Sequence, residues 1–345
     1  MTRYVILGAG AVGVTFAAEL QRSGAAVTLV ARGAQLDALR AGQLRYFRPD
    51  GERRLTIPAA GGPAEVTLRP DDVLVLATKS QDAGTVIAHW AWQPVRDDEG
   101  GTSWAADSLP LLTLQNGLET ERIAQRRFAT VLGGVLWLPS SYVAPGEVAS
   151  PGAPAPGVVW VGACPAGIHP RLPGIVDDLR VADFEAQVVP DIARWKAAKL
   201  LSSVTFALAA LYPASELRDQ AGALLAGEAR EILTAAGQSI ADVRAESTVD
   251  LNRFASHPIP ARERGGNSTW QSLARSGSVE SDYLNGEIVL QARLLGGTAP
   301  ANQAVLTRLH QAAGDGIAPG SLGHDDLLAV LPQLRTGPPV LIDAP

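Results

Sequence analysis

The hydrophobic positions of this chain change their period along its length. "YVILG" is a short apolar run closed by glycine, "AVGVTFAAELQRSG" has helical spacing and ends on Gly24, and "AVTLVAR" is a second apolar run. "DVLVLAT" and "PLLTLQNG" repeat the pattern, each followed by a helical stretch. Strands alternating with helices predict a mostly parallel sheet covered by helices. From about Val131 to Val189 the pattern is β-rich and loop-rich. There "SPGAPAPG", Ser150 to Gly157, reads as turn or loop, a hairpin connection or excursion rather than a domain linker.

After Pro190 the period becomes helical. "DIARWKAAKLLSSVTFALAALYP" predicts one long helix, and the chain to 332 predicts further helices broken at Gly and Pro. The expectation is a Rossmann-type α/β domain over 1–190, an all-α domain over 191–332 and an extended tail over 333–345. A length of 345 residues suits two domains better than one core.

Composition narrows the function classes. The net charge of −6 comes without a basic cluster, which disfavours nucleic acid as a partner. Cys164 stands alone, so no internal disulfide forms, and no apolar run reaches membrane-spanning length. The start "MTRYVILGAG" runs from strand into glycine turn rather than through a secretory pattern. A cytoplasmic protein is expected. The five histidines show no metal-ligand spacing, so no metal is expected.

"GAGAVG" lies between the first predicted strand and helix, which is the context that gives the pattern meaning. Gly8 permits the tight turn, Gly10 lets backbone approach a pyrophosphate, and Gly13 lets helix and strand pack closely. The N–H groups that open the helix, around Ala11 and Val12, are free to meet phosphate. At the end of the second strand an NAD site usually carries Asp or Glu for the ribose 2′-OH. This chain has Arg32 and no acidic residue before Asp37, which favours NADP(H); a plain surface arginine is the alternative. Lys79 in "ATKSQD" and Asn116 in "LQNG" follow parallel strands at their carboxyl ends, the edge where open α/β sheets bind ligands. Asn-Gly is also simply a favoured turn.

Of 29 lysines and arginines only three are lysine: Lys79, Lys196 and Lys199. Lysine can lose its proton when burial lowers its pKa, and arginine cannot usefully do so. At helical spacing Ala197, Leu200, Leu201, Val204, Leu208 and Leu211 form a core-facing stripe. Ile192, Trp195, Lys199, Ser202, Ser203 and Phe206 form another, which places Lys199 in a partly apolar cleft. Lys196 falls toward the edge of that stripe and reads as the ordinary lysine. Downstream, Ser268 sits in a glycine-led loop and Glu280 in the first turn of a helix capped by Ser278. Acidic residues in a first turn are ordinary helix stabilisers as well.

Taken in order, "GAGAVG", Arg32, "TKSQD", "LQNG", the Trp-then-Lys helix, the Ser268 loop and "VESDYLNG" resemble the ketopantoate reductase family, from Arg3 to about Leu331. The resemblance implies a Rossmann domain and an all-helical domain, as in relatives of 6-phosphogluconate dehydrogenase. It implies NADPH-dependent reduction of the 2-oxo group of ketopantoate to pantoate, on the route to pantothenate and coenzyme A. By motif, Lys199 matches the family's general acid and Glu280 the acidic residue that engages substrate and that lysine. Lys79 and Asn116 match polar groups along the nicotinamide and substrate cleft, and Ser268 matches a substrate-carboxylate contact. The family usually has asparagines, four and eight residues after the lysine, that help hold the substrate; this chain has Ser203, at one of those substrate-binding positions, and Ala207. A paralogue acting on another 2-oxo acid is the alternative. A non-catalytic NADP-binding sensor would be marked by loss of Lys199 or Glu280, and both are present. A homodimer is compatible with this reading.

Overall fold

In the computed structural model, residues 2–260, 262 and 265–336 are described. Two compact units divide the chain: Met1–Lys196 with Ala241–Arg264, and Ala197–Ile240 with the residues from Gly265 onward. The division therefore lies inside a helix, past the expected boundary at 190, and the first unit is discontinuous.

The first unit is built on an eight-stranded sheet. Within it β1 (Arg3–Leu7) is flanked by β2 (Ala26–Val30) on one side and by the strand Asp72–Leu76 on the other, both parallel to it. Beyond Asp72–Leu76 come Leu111–Thr113, Val131–Trp137, Val158–Cys164 and Glu185–Val188; beyond β2 comes the short Ala59–Ala60. Only Val131–Trp137 against Val158–Cys164 is antiparallel. The apolar run of β1 is explained by burial on both faces. Tyr4 and Ile6 pack with Val14, Phe16 and Ala17 of α1 (Ala11–Arg22), while Val5 and Leu7 pack with Ala83, Ile87 and Trp90 of a helix over Ser80–Ala91. Because the chain leaves β1 to one side and later returns on the other, the sheet reverses its strand order there. That switch point opens a crevice at the carboxyl ends of the strands.

Two features of this unit differ from expectation. "SPGAPAPG" contains a strand, Gly152–Pro154, paired antiparallel with Phe254–Ser256 of the returning segment. The partner lies far along the chain, so local turn chemistry could not show it. The hairpin Leu44–Arg48 and Gly51–Leu55 joins Glu147–Ala149 and Ser141–Ala144 in a separate four-stranded sheet.

The second unit is helical among its described residues. Its elements include Phe206–Leu211, Glu216–Ala235, Ser268–Ala274, Asn285–Leu294 and Pro300–Gly314. The single long helix expected after Pro190 is two, Ile192–Ser203 and Phe206–Leu211. Three hydroxyls clustered at the break bond back to carbonyls: Ser202 and Ser203 to the Lys199 oxygen, and Thr205 to the Ser202 oxygen. Such back-bonding offers the backbone an alternative to the helical ladder and bends it. Asn285 Nδ2 donates to the Val204 carbonyl at 2.9 Å, satisfying an oxygen at the break. The core-facing stripe holds, with Ala197, Leu200, Val204, Leu208 and Leu211 all buried.

The expected extended tail, 333–345, begins inside a 3-10 helix, Pro332–Thr336, with the Leu334 N–H donating to the Leu331 carbonyl at 3.1 Å. The rest of the tail lies outside the described residues.

Candidate active site

The glycine turn after β1 has the shape its sequence requires. Gly8 sits at φ 118, a left-handed conformation, and a Cβ there would come within 2.8 Å of the Thr78 nitrogen. A Cβ on Gly13 would lie 1.9 Å from the Gly8 oxygen, so α1 can approach the turn only with glycine at that position. Gly10 is different: it has extended backbone, and a Cβ there would meet nothing within 4 Å. Its open side is where a pyrophosphate would fit. α1 begins without a side-chain cap and without an acidic residue in its first turn, so its leading N–H groups face no competing carboxylate.

Gly8 and Gly10 form part of the wall of a cavity of about 440 Å³, wholly within the first unit. Arg32, at the N-terminus of α2 (Gly33–Arg40), Lys79, at the N-terminus of α3 (Ser80–Ala91), and Asp82, in the first turn of α3, contribute to its polar side. Arg32 is 87% exposed, and its Nη2 lies 3.6 Å from an Asp82 oxygen. The cavity brings together the glycine turn and the cations that the phosphates of a dinucleotide need. Gln35 went unnoticed in the sequence. It is buried, donates to the Ala9 carbonyl at 3.1 Å and accepts from the Gly146 N–H at 2.8 Å, which ties the glycine turn to the second sheet.

Asn116 follows the strand Leu111–Thr113 and is not part of the wall of that cavity. Its carbonyl accepts from the Ser80 hydroxyl at 3.4 Å. Its neighbour Gln115 is buried and donates Nε2 to the Leu76 and Thr78 carbonyls, both at 2.9 Å, binding the two strand ends together.

Lys196 is not the ordinary lysine. It is 4% exposed, 2.6 Å from a Glu121 oxygen that is itself buried, and it donates to the Gln115 carbonyl at 2.9 Å. Thr113 adds a hydroxyl donor to the same carboxylate. Helical spacing does not reveal this pairing, because Glu121 and Gln115 lie on another part of the chain. The helix is seated at its start by Ile192, which fills the space left by the paired glycines Gly133 and Gly162. Trp195 stacks on Trp160 at 5.3 Å between ring centroids.

Three residues further on, Lys199 belongs to the second unit. Burial lowers its pKa to about 8, and its amino group stands 5.7 Å from the centre of the Phe206 ring. Ser203 and Ala207 are both buried, and the Ser203 hydroxyl is engaged by the Lys199 carbonyl at 2.9 Å. Ser268 and Glu280 also belong to this unit. Ser268 is exposed in the first turn of a helix capped by Asn267, rather than in a loop. Glu280 is half-buried and precedes a 3-10 turn, Ser281–Tyr283, with its carbonyl accepting from Tyr283 N–H at 2.9 Å. It is therefore not in the first turn of a helix capped by Ser278, because the regular helix begins only at Asn285.

The described residues contain no cluster of His, Cys, Asp and Glu suited to a metal ion, and no helix among them is long and apolar enough to cross a membrane.

The switch-point crevice and its glycine turn make the first unit a Rossmann-type dinucleotide-binding domain, followed by a helical unit carrying a lysine of lowered pKa. Comparison with known proteins then specifies the family. Residues 4–166 match the family model "Ketopantoate reductase PanE/ApbA" and residues 193–313 match "Ketopantoate reductase PanE/ApbA C terminal". The chain belongs to the ketopantoate reductase family, enzymes that are nicotinamide-dinucleotide oxidoreductases acting on 2-oxo acids. The 2-dehydropantoate 2-reductase of Pyrococcus horikoshii is 24% identical over 298 residues, covering 86% of this chain and 93% of that protein. A PanE/ApbA family ketopantoate reductase from Ralstonia eutropha JMP134 superposes with a TM-score of 0.72 at 23% identity, over 91% of this chain and 99% of that one. A D-mandelate dehydrogenase, solved with NADH and anilino(oxo)acetate, gives a TM-score of 0.74 at 19% identity, over 91% and 99% of the two chains.

Proposed function

We propose that this enzyme uses NADPH to reduce the 2-oxo group of ketopantoate to the hydroxyl of pantoate, a step toward pantothenate and coenzyme A. The observation that carries the reading is Lys199, a lysine whose burial lowers its pKa to about 8 in a chain that otherwise uses arginine almost throughout. NADPH, when bound, supplies a hydride from C4 of its nicotinamide to the 2-oxo carbon. Lys199 enters as the ammonium, stabilises the negative charge growing on the carbonyl oxygen and donates its proton there. Glu280 holds that ammonium and accepts from a substrate hydroxyl. Ser268 orients the substrate carboxylate, and Asn116 and Lys79 line the nicotinamide and substrate cleft. The glycine turn with Ala11 and Val12 receives the pyrophosphate. The reading places the enzyme in the cytoplasm.

Arg32 supports NADPH over NADH, because a guanidinium suits a 2′-phosphate and the end of β2 has no carboxylate. Arg32→Asp is expected to abolish the preference, measured as the ratio of kcat/KM for the two cofactors. Equal use of both by the unaltered enzyme would count against this assignment.

A second reading has its own observation. Ser203 is bonded to the Lys199 carbonyl and Ala207 has no polar group, so neither replaces the amide that the family usually has at its position. A substrate hydroxyl left without partners loses about 1–3 kcal/mol. The enzyme is then a paralogue with weak preference for hydroxylated substrates. NADPH oxidation against a panel of 2-oxo acids, including ketopantoate and its dehydroxylated analogue, separates the two. The expected kcat/KM ratio for that pair is well below the ~10⁴ that a fully polar site reaches. A ratio near that level would restore ketopantoate as the dedicated substrate.

A further inference from the structure

We propose that Asp82 is a specificity-determining residue of the dinucleotide pocket, one that tempers the preference for NADPH. The inference rests on the reading that Arg32 meets the 2′-phosphate. Asp82 lies in the first turn of α3, three residues after Lys79, and belongs to the same cavity wall as Arg32, Lys79 and Gly62. An acidic residue in a first turn commonly serves only the helix dipole. This one does more, because its Oδ2 is 3.6 Å from Arg32 Nη2, with the two side chains 42% and 87% exposed. Both are free enough to turn toward a ligand, and a pair this exposed is weakly held.

The consequence follows from charge. The end of β2 lacks the carboxylate that an NAD site places there, but the strand–helix unit on the other side of β1 delivers one to the same cavity. A 2′-phosphate binding at Arg32 must displace Asp82 from the guanidinium and then remain beside a like charge. A ribose 2′-OH has no such penalty and finds an acceptor. Arg32 and Asp82 together therefore admit both cofactors, with NADPH ahead by less than an isolated arginine would give.

The test uses the full-length enzyme and measures dissociation constants for NADPH and NADH by fluorescence titration at low salt. Asp82→Asn keeps an acceptor for the 2′-OH and removes the charge. It should tighten NADPH about threefold to tenfold while leaving NADH within about twofold. The gain should shrink as ionic strength rises. Equal changes for both cofactors, or none for NADPH, overturn the proposal. Arg32→Ala, run in parallel, separates the two levels of the reading. If it weakens NADPH relative to NADH while Asp82→Asn leaves their relative affinity untouched, Asp82 alone is refuted. If Arg32→Ala does not move that relative affinity, the 2′-phosphate assignment and the role of Asp82 fall together.

Discussion

Lys199→Ala is expected to lower kcat for 2-oxo acid reduction by about 10²- to 10⁴-fold, the usual range for removing a general acid. Lys199→Arg should not rescue it, since a guanidinium keeps charge but does not release its proton near neutral pH. The pH dependence has a definite sign. Reduction requires the ammonium, and burial lowers the Lys199 pKa to about 8. In the reductive direction log kcat/KM should be flat below about pH 8 and fall toward a slope of −1 above it. In the oxidative direction the neutral amine is required, so the same group should make the rate rise through that pH. A reductive profile without this limb, or a Lys199→Ala enzyme of nearly full activity, would remove lysine from the chemistry.

Lys196 carries the largest expected effect on stability. Its ion pair with Glu121 is 2.6 Å long and almost fully shielded from water, so removing one partner strands the other's charge in the interior. Breaking such a pair destabilises by about 3–5 kcal/mol, whereas replacing both members with apolar residues of similar volume is often neutral. Lys196→Ala and Glu121→Ala should each lower the urea midpoint of unfolding sharply, and Lys196→Met combined with Glu121→Leu should recover most of the loss. If Lys196→Ala stays within about 0.5 kcal/mol of the parent, as ordinary surface changes do, the pair is not held as the geometry indicates. This pairing also changes how the two lysines can be compared. Loss of activity in Lys196→Ala would report a damaged fold as readily as lost chemistry, so it is no control for the helical phase of Lys199.

The geometry of the glycine turn was legible because its signals are local. The glycine turn needs no distant information: Gly8 must adopt a left-handed φ and Gly13 must let the helix approach, and both demands arise within one strand–turn–helix. Lys199 stood out through scarcity of lysine and through helical phase. Gln35 was silent, since a glutamine in a helix carries no sign that it will bridge the Ala9 carbonyl and the Gly146 N–H. The local structure around Glu280 was misread, because "VESDYLNG" resembles a capped helix start and instead forms a 3-10 turn first. The break after Ser203 had a local signal in Ser202, Ser203 and Thr205. It was outweighed by the strong apolar period that continues through Leu208 and Leu211 on either side.

By itself the sequence determined the order of an α/β unit followed by a helical one and the glycine turn after the first strand, and it singled out Lys199, whose pKa burial lowers. Hydrophobic period, turn residues and propensity act over a few positions, so they survive without knowledge of the fold. Only the tertiary structure decided that Lys196 is a buried ion, that "SPGAPAPG" supplies a strand, and that Asp82 stands beside Arg32. Each of those outcomes depends on a partner from another part of the chain: Lys196 reaches a carbonyl 81 positions away, and Gly152–Pro154 pairs with Phe254–Ser256. Burial of a charge and completion of a strand are satisfied only by groups that folding brings together, and a single sequence carries no record of which groups those will be.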